Sequence, residues 1–165
     1  MSDSRAAVLV AELTALGLTL GVAESLTGGL LVAEFISVPG ASFVVRGGVV
    51  AYNTALKHSL LGVDPQLLAD HGAVHPDVAA QMAEGIRRAT AVGEVPADIG
   101  MSTTGVAGPE PQDGQAVGTV YIGIATRGGT SVRALALSGS REAIRTRVVS
   151  ESLEQLSDVL ANLHA

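Results

Sequence analysis

Segments with the composition of β-strands alternate with segments of helical periodicity along almost the whole chain. Runs rich in β-branched and small apolar residues predict five strands, at 18–24, 43–52, 97–105, 118–126 and 131–138. The glycine-rich turn between the last two predicts an antiparallel hairpin, and the glycine pair inside the second predicts a bulge or a close approach. This interleaved order predicts the α/β fold class, with helices on both faces of a mixed sheet.

Six helices are predicted between and after these strands from apolar spacing and capping residues. They run from Asp3 or Ser4 to Gly17, over 27–36, around Lys57, over 65–70, over 76–91, and from Ser140 to near the end of the chain. No internal repeat and no change in composition marks a boundary. Residues 1–165 are therefore predicted to form a single domain.

The composition argues against several classes of function. With 47% hydrophobic residues but only two Phe, two Tyr and no Trp, the core must be built from Ala, Val, Leu and Ile. A formal net charge of -6 without a basic cluster argues against nucleic-acid binding. The absence of Cys removes thiolate nucleophiles and disulfides. No stretch has the character of a membrane span or a secretion signal, so we expect a soluble cytoplasmic protein that does not bind membranes.

The chain contains a single lysine, Lys57, beside nine arginines. A lineage preference for Arg would explain most of this skew. Under such a preference, however, a retained Lys also marks a position where a guanidinium cannot serve, because an amine can lose its proton and act as a base while Arg stays charged. Composition alone leaves both explanations open.

The corner between the first predicted strand and the second helix reads GVAESLTGGLLVAEF, residues 21–35. It lacks the glycine spacing of a dinucleotide fold, of a P-loop and of a G-x-S-x-G elbow. It nevertheless places two hydroxyls, Ser25 and Thr27, and two glycines, Gly28 and Gly29, at a helix start, where free N–H groups favour an anion or a developing oxyanion. The alternative is an ordinary helix start in which Ser25 or Thr27 caps a backbone N–H.

A nucleophilic serine needs a base, and the histidines are poor candidates. The four of them are scattered along the chain, at His58, His71, His75 and His164. The one pair with helical spacing encloses a glycine and precedes a proline, so no metal site is expected. A desolvated lysine is the known substitute base. Lys57 follows Tyr52 at a strand-to-helix corner, and such corners gather at one edge of an α/β sheet, which makes a meeting with Ser25 geometrically feasible.

Two further segments have the composition of ligand-binding elements. Residues 102–120 place hydroxyls at a strand end ahead of a loop with several glycines, which indicates backbone donors around an anion or a sugar; the alternative is a solvent-exposed connection. Arg141 and Arg145 lie one turn apart near the start of the last helix, where the dipole disfavours cations and an anionic ligand would offset that cost. A solvated face that pairs with neighbouring acids is at least as well supported for Arg141.

Together, four blocks resemble the C-terminal domain of the CinA family, whose stand-alone members are nicotinamide-nucleotide amidohydrolases, also called nicotinamide mononucleotide deamidases. AESLTGG at 23–29 resembles the family signature A-E-S-x-T-G-G, and GGVVAYNTALK at 47–57 is similar to its second block, in which a Tyr precedes a Lys. TTGVAGP at 103–109 and VGTVYIGIA at 117–125 resemble the third block and the strand after it. The blocks occur in order over nearly the whole chain.

The resemblance implies a three-layer α/β/α domain with a mixed, mainly parallel sheet that contains one antiparallel hairpin. It also implies hydrolysis of the carboxamide of nicotinamide mononucleotide to nicotinate mononucleotide and ammonia, in pyridine-nucleotide recycling. Ser25 would be the nucleophile, Lys57 its general base and Tyr52 an assisting residue. Backbone N–H groups near Leu26 would form the oxyanion hole.

The positions that the resemblance implies for substrate binding are Leu26, Thr27, Gly28, Gly29, Asn53, Thr104, Gly105, Gly108 and Arg145. Gly28 and Gly29 would leave room for the substrate near the helix start. No metal and no organic cofactor is implied. Members of the family are usually oligomeric, so the expected partners are a small-molecule nucleotide and further copies of this chain.

Two departures from the family pattern keep alternatives open. The third block commonly continues as a G-P-G-G-G loop, whereas 108–114 reads GPEPQDG and brings Glu110 and Asp113 near the place where a phosphate would bind. The arginine segment commonly reads G-D-R and here reads G-S-R at 139–141. One alternative is therefore a hydrolase of a different nucleotide. The other is a competence- or damage-inducible protein that binds a nucleotide or a partner without turnover.

Overall fold

The structure is a computed structural model that describes residues 4–163. Five strands and six α-helices follow one another in these residues, and a short 3-10 helix, Ala41–Phe43, precedes the second strand. The elements are α1 (Arg5–Leu16), β1 (Leu20–Glu24), α2 (Leu30–Ile36), β2 (Val45–Val50), α3 (Thr54–Leu61), α4 (Pro65–His71), α5 (Pro76–Ala89), β3 (Ile99–Gly105), β4 (Thr119–Thr126), β5 (Gly129–Ala136) and α6 (Arg141–Leu163).

The strands form one sheet in the order β2-β1-β3-β4-β5. β1 pairs in parallel with β2 and β3, whereas β4 is antiparallel to both β3 and β5. Four strands therefore point the same way and only β4 is reversed, which confirms the mixed sheet with its β4–β5 hairpin. The carboxyl ends of β1, β2 and β3 lie at the same edge of the sheet, where ligands of open α/β folds usually bind.

Helices cover both faces of the sheet, which confirms the predicted α/β class. On one face, α1, α2 and α6 contact one another and bury the large apolar cluster that includes Leu9, Leu13 and Phe35. On the other, α5 lies across β1, β3 and β4, with α3 and α4 beside it. Val78, Met82 and Ile86 of α5 face the sheet, as their spacing predicts.

Several boundaries differ from the predictions by up to three residues. The second helix begins at Leu30 rather than at Thr27, because the residues before it form a tight turn. The second strand begins at Val45, because the residues before it form the 3-10 helix. A bulge falls at Arg46, the extra residue where the β1–β2 register shifts, just before the glycine pair. The predicted close approach is confirmed at Gly48, where a Cβ would lie 3.1 Å from Val32. Ser4 caps α1, with its Oγ accepting the N–H of Ala7; the other cap candidate, Asp3, lies outside the described residues.

A glycine inside α5 allows α3 to come close. Gly85 is buried in the middle of α5, and a Cβ at this position would overlap with the carbonyl group of Leu61, the last residue of α3. Because α3 carries Lys57, the close approach of the two helices helps to bury that side chain. Within residues 4–163, no helix is both long and apolar enough to cross a lipid bilayer.

Candidate active site

The ends of three neighbouring strands place the candidate residues at one edge of the sheet. Ser25 directly follows β1, and its backbone N–H donates to the carbonyl oxygen of Thr103 in β3 at 3.0 Å. Ala51 follows β2, and its N–H donates to the carbonyl oxygen of Glu24 at 2.9 Å. The β1–β3 pairing thus continues to Ser25 and the β1–β2 pairing to Ala51, each one residue beyond its strand, which places both residues at the same edge of the sheet.

Lys57 lies beneath Ser25 on the first turns of α3. Its Nζ lies 3.0 Å from Ser25 Oγ and 2.7 Å from the carbonyl oxygen of Ala51. Lys57 is fully buried, and Ser25 is only 8% exposed. The side chain of Asn53 caps α3 by accepting the N–H of Ala55 at 2.9 Å, so the helix that carries the amine has a defined start. The structure therefore brings together the serine and the lysine that the sequence singled out.

The environment of Lys57 raises the fraction of the amine that is neutral near pH 7. Burial lowers the pKa of Lys57 from its ordinary 10.5 to about 8, while the negative charge of Asp113 acts in the opposite direction. About a tenth of the lysine is then neutral at pH 7, compared with less than a thousandth for a free lysine side chain. In the neutral form an N–H donates to Ala51, and the nitrogen lone pair is available to accept the hydroxyl proton of Ser25.

The helix start at this corner is capped from the strand before it. Glu24 is almost fully buried, and its two carboxylate oxygens accept the N–H groups of Leu31 and Val32 at 2.8 and 3.0 Å. The expectation that the first N–H groups of α2 would be free for an anion is therefore wrong, because Glu24 already occupies them. The signal for this role was a carboxylate at the end of a buried strand, a few residues before a helix.

Thr27 does not reach the cavity, nor does it cap the helix. It is fully buried, and its Oγ1 lies 2.8 Å from Oγ1 of Thr103, which ties the corner to β3. Gly28 and Gly29 also have a backbone role, with φ of 61° and 101°, where a side chain is strained. A Cβ at Gly28 would lie 3.4 Å from the guanidinium of Arg145. We therefore correct the expectation that these glycines leave room for substrate: they allow the tight turn.

A cavity of about 360 Å³ opens above Ser25. The sequence-predicted residues that line it are Ser25, Leu26, Tyr52, Asn53, Thr104, Gly105 and Gly108. The others, Thr27, Gly28, Gly29, Lys57 and Arg145, do not line it. The remaining wall comes from α3, the α4–α5 turn, the β3–β4 loop and α6, at Thr54, Ala73, Val74, Val106, Ala107, Glu110, Gln112 and Arg141.

Arg141 and Arg145 of α6 have roles opposite to those expected. Arg141 lines the cavity and donates to Tyr52 Oη at 2.9 Å and to the carbonyl oxygen of Gly108 at 2.6 Å. Arg145 instead donates to the carbonyl oxygens of Leu26 and Thr27 at 2.8 and 3.2 Å. Arg145 therefore holds the turn after Ser25, while Arg141 is the guanidinium available to a ligand. Helical spacing could not distinguish them, because both face the same side of the sheet.

The β3–β4 loop closes one side of the cavity. Glu110 and Gln112 line it, while Asp113 accepts the N–H of Ala73 at 3.1 Å. Thr104, at the end of β3, donates to the carbonyl oxygen of the same Ala73 at 2.7 Å. Of the two acidic residues that were predicted near the ligand, only Glu110 therefore lies in the cavity wall, because Asp113 contacts the α4–α5 turn.

The histidines within the described residues lie apart from Ser25. His58 contacts the carbonyl oxygen of Val63 through Nδ1, and His75 caps α5 by accepting the N–H of Asp77. Residues 4–163 contain no group of three or more His, Cys, Asp or Glu side chains arranged to hold a metal ion. The fourth histidine, His164, lies outside the described residues.

Sequence similarity establishes the family of the chain. Residues 2–160 match the CinA C-terminal domain. The chain belongs to this family. A CinA-like protein of Frankia casuarinae is 47% identical over 161 residues, which cover 98% of this chain and 36% of the Frankia protein. This CinA domain spans about a third of the length of the curated relatives it matches.

Solved structures of the family share the fold. The competence-damaged protein (CinA) superfamily protein of Klebsiella pneumoniae is 30% identical, with a TM-score of 0.89 and 96% of each chain covered. The competence/damage inducible protein CihA of Agrobacterium tumefaciens is 31% identical, with a TM-score of 0.85 and coverage of 98% of this chain and 99% of that one. The resemblance of the four sequence blocks to the CinA C-terminal domain is thereby confirmed.

Proposed function

We propose that this CinA domain is a Ser–Lys amidohydrolase that converts nicotinamide mononucleotide to nicotinate mononucleotide and ammonia. The observation that carries the proposal is the buried contact of 3.0 Å between Lys57 Nζ and Ser25 Oγ, in an environment that lowers the pKa of Lys57 to about 8. A lysine that is partly neutral near physiological pH is able to take the proton of a serine hydroxyl. The cavity above Ser25 has the size of a small-ligand site.

In the proposed reaction, Ser25 Oγ attacks the carboxamide carbon while Lys57 takes the hydroxyl proton. The resulting ammonium then gives that proton to the amide nitrogen, the C–N bond breaks, and ammonia leaves an acyl-serine. Water attacks the ester, Lys57 takes one of its protons, and that proton returns to Ser25 as the carboxylic acid departs; the acid then gives its proton to ammonia or to solvent. The lysine is neutral again at the end, so protons balance over the cycle.

The oxyanion requires a donor other than the N–H of Ser25, which is bonded to Thr103. We assign this role to the N–H of Leu26. The carbonyl group of the Ser25–Leu26 peptide accepts the N–H of Gly28 at 3.1 Å, and the planar peptide directs the N–H of Leu26 the opposite way. Arg145 holds the next two carbonyl groups and thereby stabilises the turn. In this proposal Arg141 contacts the phosphate of the nucleotide, because it is the guanidinium of the cavity wall.

The test is ammonia release from nicotinamide mononucleotide by the wild type, Ser25→Ala, Lys57→Arg and Lys57→Met. We expect both lysine variants and Ser25→Ala to lose activity by at least about a thousandfold, since nucleophile and base act together. Ser150→Ala, which changes an exposed serine on α6, is the matched control and should keep wild-type activity. Full activity of Ser25→Ala would refute the nucleophile, and full activity of Lys57→Arg would refute the base.

Glu110 favours a second candidate, a hydrolase that acts on a different nucleotide. Its carboxylate lies in the cavity wall and would repel a phosphate placed near it. The same site would then act on an amide or ester whose polar part carries hydroxyl or amino groups instead. A panel of nucleotide and nucleoside amides, assayed with wild type and Glu110→Gln, separates the two. Tight binding of a nucleotide without any turnover would instead favour a binding domain.

A further inference from the structure

The β3–β4 loop is held against the α4–α5 turn by a single carboxylate. Asp113 and Gly114 occupy the centre of a tight turn in which Gln112 and Gln115 exchange both backbone hydrogen bonds, at 3.1 and 2.8 Å. Both central residues have positive φ, 51° and 75°, as a type I′ turn requires. This geometry projects the carboxylate of Asp113 toward Ala73, whose N–H it accepts at 3.1 Å.

Gly72 is shaped to receive that carboxylate. Its φ is 74°, and a Cβ at this position would lie within 2.6 Å of Asp113 side-chain atoms. Any side chain at Gly72 would therefore displace Asp113. The contact continues into the active site, because Ala73 lines the cavity and its carbonyl oxygen accepts the hydroxyl of Thr104. A chain of direct contacts thus runs from the loop to the cavity floor.

The charge of Asp113 also acts on Lys57, against the desolvation of the amine. Other titratable groups are carried by the elements around Lys57, at Glu24, Tyr52, His58, Asp70, His71, His75, Asp77, Glu84, Arg87, Arg88, Glu110 and Arg141. Glu24 is fully used by the α2 cap, and His58 contacts a backbone carbonyl. The carboxylate whose charge favours the ammonium form of Lys57 therefore belongs to the β3–β4 loop.

We propose that Asp113 is a positioning residue that seats the β3–β4 loop on Gly72 and Ala73 and thereby keeps Gln112 in the cavity wall. With the loop seated, the carboxylate also favours the ammonium form of Lys57, so the protonation of Lys57 reports on the position of the loop. The expected effect on substrate binding rests on the proposed function. The seating itself does not, and it is measurable on the protein alone.

Because Lys57 is the only lysine, its titration is directly visible. Protein labelled with ¹³Cε-lysine gives one side-chain signal, whose shift against pH reports the protonation of Lys57. Asp113→Asn keeps an oxygen that can accept from Ala73, and Asn is well tolerated at a positive φ, so this variant removes the charge and keeps the seating. Asp158→Asn removes an equal charge on α6, beside Arg133, and is the matched control.

We expect the Lys57 midpoint of Asp113→Asn to move to lower pH by about half a unit, which is roughly a threefold increase in neutral amine near pH 7. Asp158→Asn should titrate like the wild type. If Asp113→Asn and the wild type share one midpoint, the carboxylate of Asp113 is not held near Lys57, as the seated loop requires. This measurement stands whether or not the protein hydrolyses nicotinamide mononucleotide.

The seating role has a separate readout. Asp113→Ala and Gly72→Ala both remove the contact with Ala73, so we expect the KM for the amide substrate to rise by about tenfold or more while Asp113→Asn stays within about twofold. Proteolysis of the β3–β4 loop should accelerate in the same two variants, and this holds without any substrate. Unchanged KM and unchanged loop cleavage in Asp113→Ala would overturn the seating role.

Discussion

Burial of Lys57 should make the stability of the protein depend on pH in a way that one substitution removes. The pKa of Lys57 falls from 10.5 to about 8 on folding, so the unfolded chain holds the lysine proton more tightly than the folded one. Below pH 8 the lysine is protonated in both states, and its lowered pKa reduces the free energy of unfolding by roughly 3 kcal/mol. Between the two pKa values the unfolded state binds one more proton, so stability rises with pH.

The expected magnitude follows from the two protonation equilibria. From pH 7 to pH 9.5, the lysine should increase the free energy of unfolding by about 2 kcal/mol. Lys57→Met fills a similar volume and carries no proton, so the difference in stability between the wild type and this variant should change by that amount over the same range. Taking the difference cancels the titration of all other groups. A pH-independent difference between the two proteins, such as the loss of the contacts with Ser25 and Ala51, drops out when that difference is compared between two pH values.

The assay is urea unfolding followed by far-ultraviolet circular dichroism at half-unit steps of pH. The chain has no Trp, so fluorescence would be a poor probe. Lys57→Arg is the charged control. A guanidinium stays protonated over this range, so this position should then contribute no rise in the free energy of unfolding with pH. Parallel stability curves for the wild type and Lys57→Met would refute the reasoning, since they would mean that Lys57 has the same pKa in both states.

Three more predictions address the base, the corner and the fold. The kcat/KM of the wild type for the amide substrate should rise about tenfold from pH 7 to pH 9 as Lys57 loses its proton; a flat profile would contradict the base role. Glu24→Ala should lower the free energy of unfolding by about 2 kcal/mol, because two N–H groups of α2 lose their acceptor, and Glu24→Gln should lose less. Gly85→Ala, in urea unfolding, should destabilise by at least about 2 kcal/mol despite the better helix propensity of Ala, because its Cβ would overlap with Leu61; an equal or higher stability would contradict the packing.

The sequence predicted the elements and the meeting of Ser25 with Lys57 for a common reason. Strand composition and helical spacing are local signals, and parallel strands bring their carboxyl ends to one edge whatever their order. Two residues that each follow such a strand are therefore candidates for contact before any strand order is known. The turn predicted the β4–β5 hairpin, but the antiparallel pairing of β4 with β3 depends on long-range contacts that local signals do not carry.

The errors at the site have a different cause, which is the orientation of individual side chains. Thr27 and Arg145 lie close to the cavity, but Thr27 contacts the hydroxyl of Thr103, and Arg145 contacts the backbone carbonyl groups of Leu26 and Thr27. Arg141 differs from Arg145 by one helical turn, a distance that decides whether a guanidinium reaches Tyr52 or the turn after Ser25. Spacing identifies the face of a helix, but only the packed structure decides which residue on that face reaches the cavity.

The structure also accounts for the retention of one lysine among nine arginines. Two oxygens, Ser25 Oγ and the carbonyl oxygen of Ala51, lie within hydrogen-bonding distance of the Lys57 nitrogen, and the side chain has no exposure to water. A guanidinium carries five N–H donors and keeps its charge, so at this site it would leave buried donors without acceptors and a charge that cannot be released. An amine that sheds its proton has two N–H donors and one lone pair, which matches a carbonyl acceptor and a hydroxyl donor. A lineage preference for Arg can account for the nine arginines, each of which is at least partly exposed. The fully buried position of Lys57 requires a cation that can release its proton.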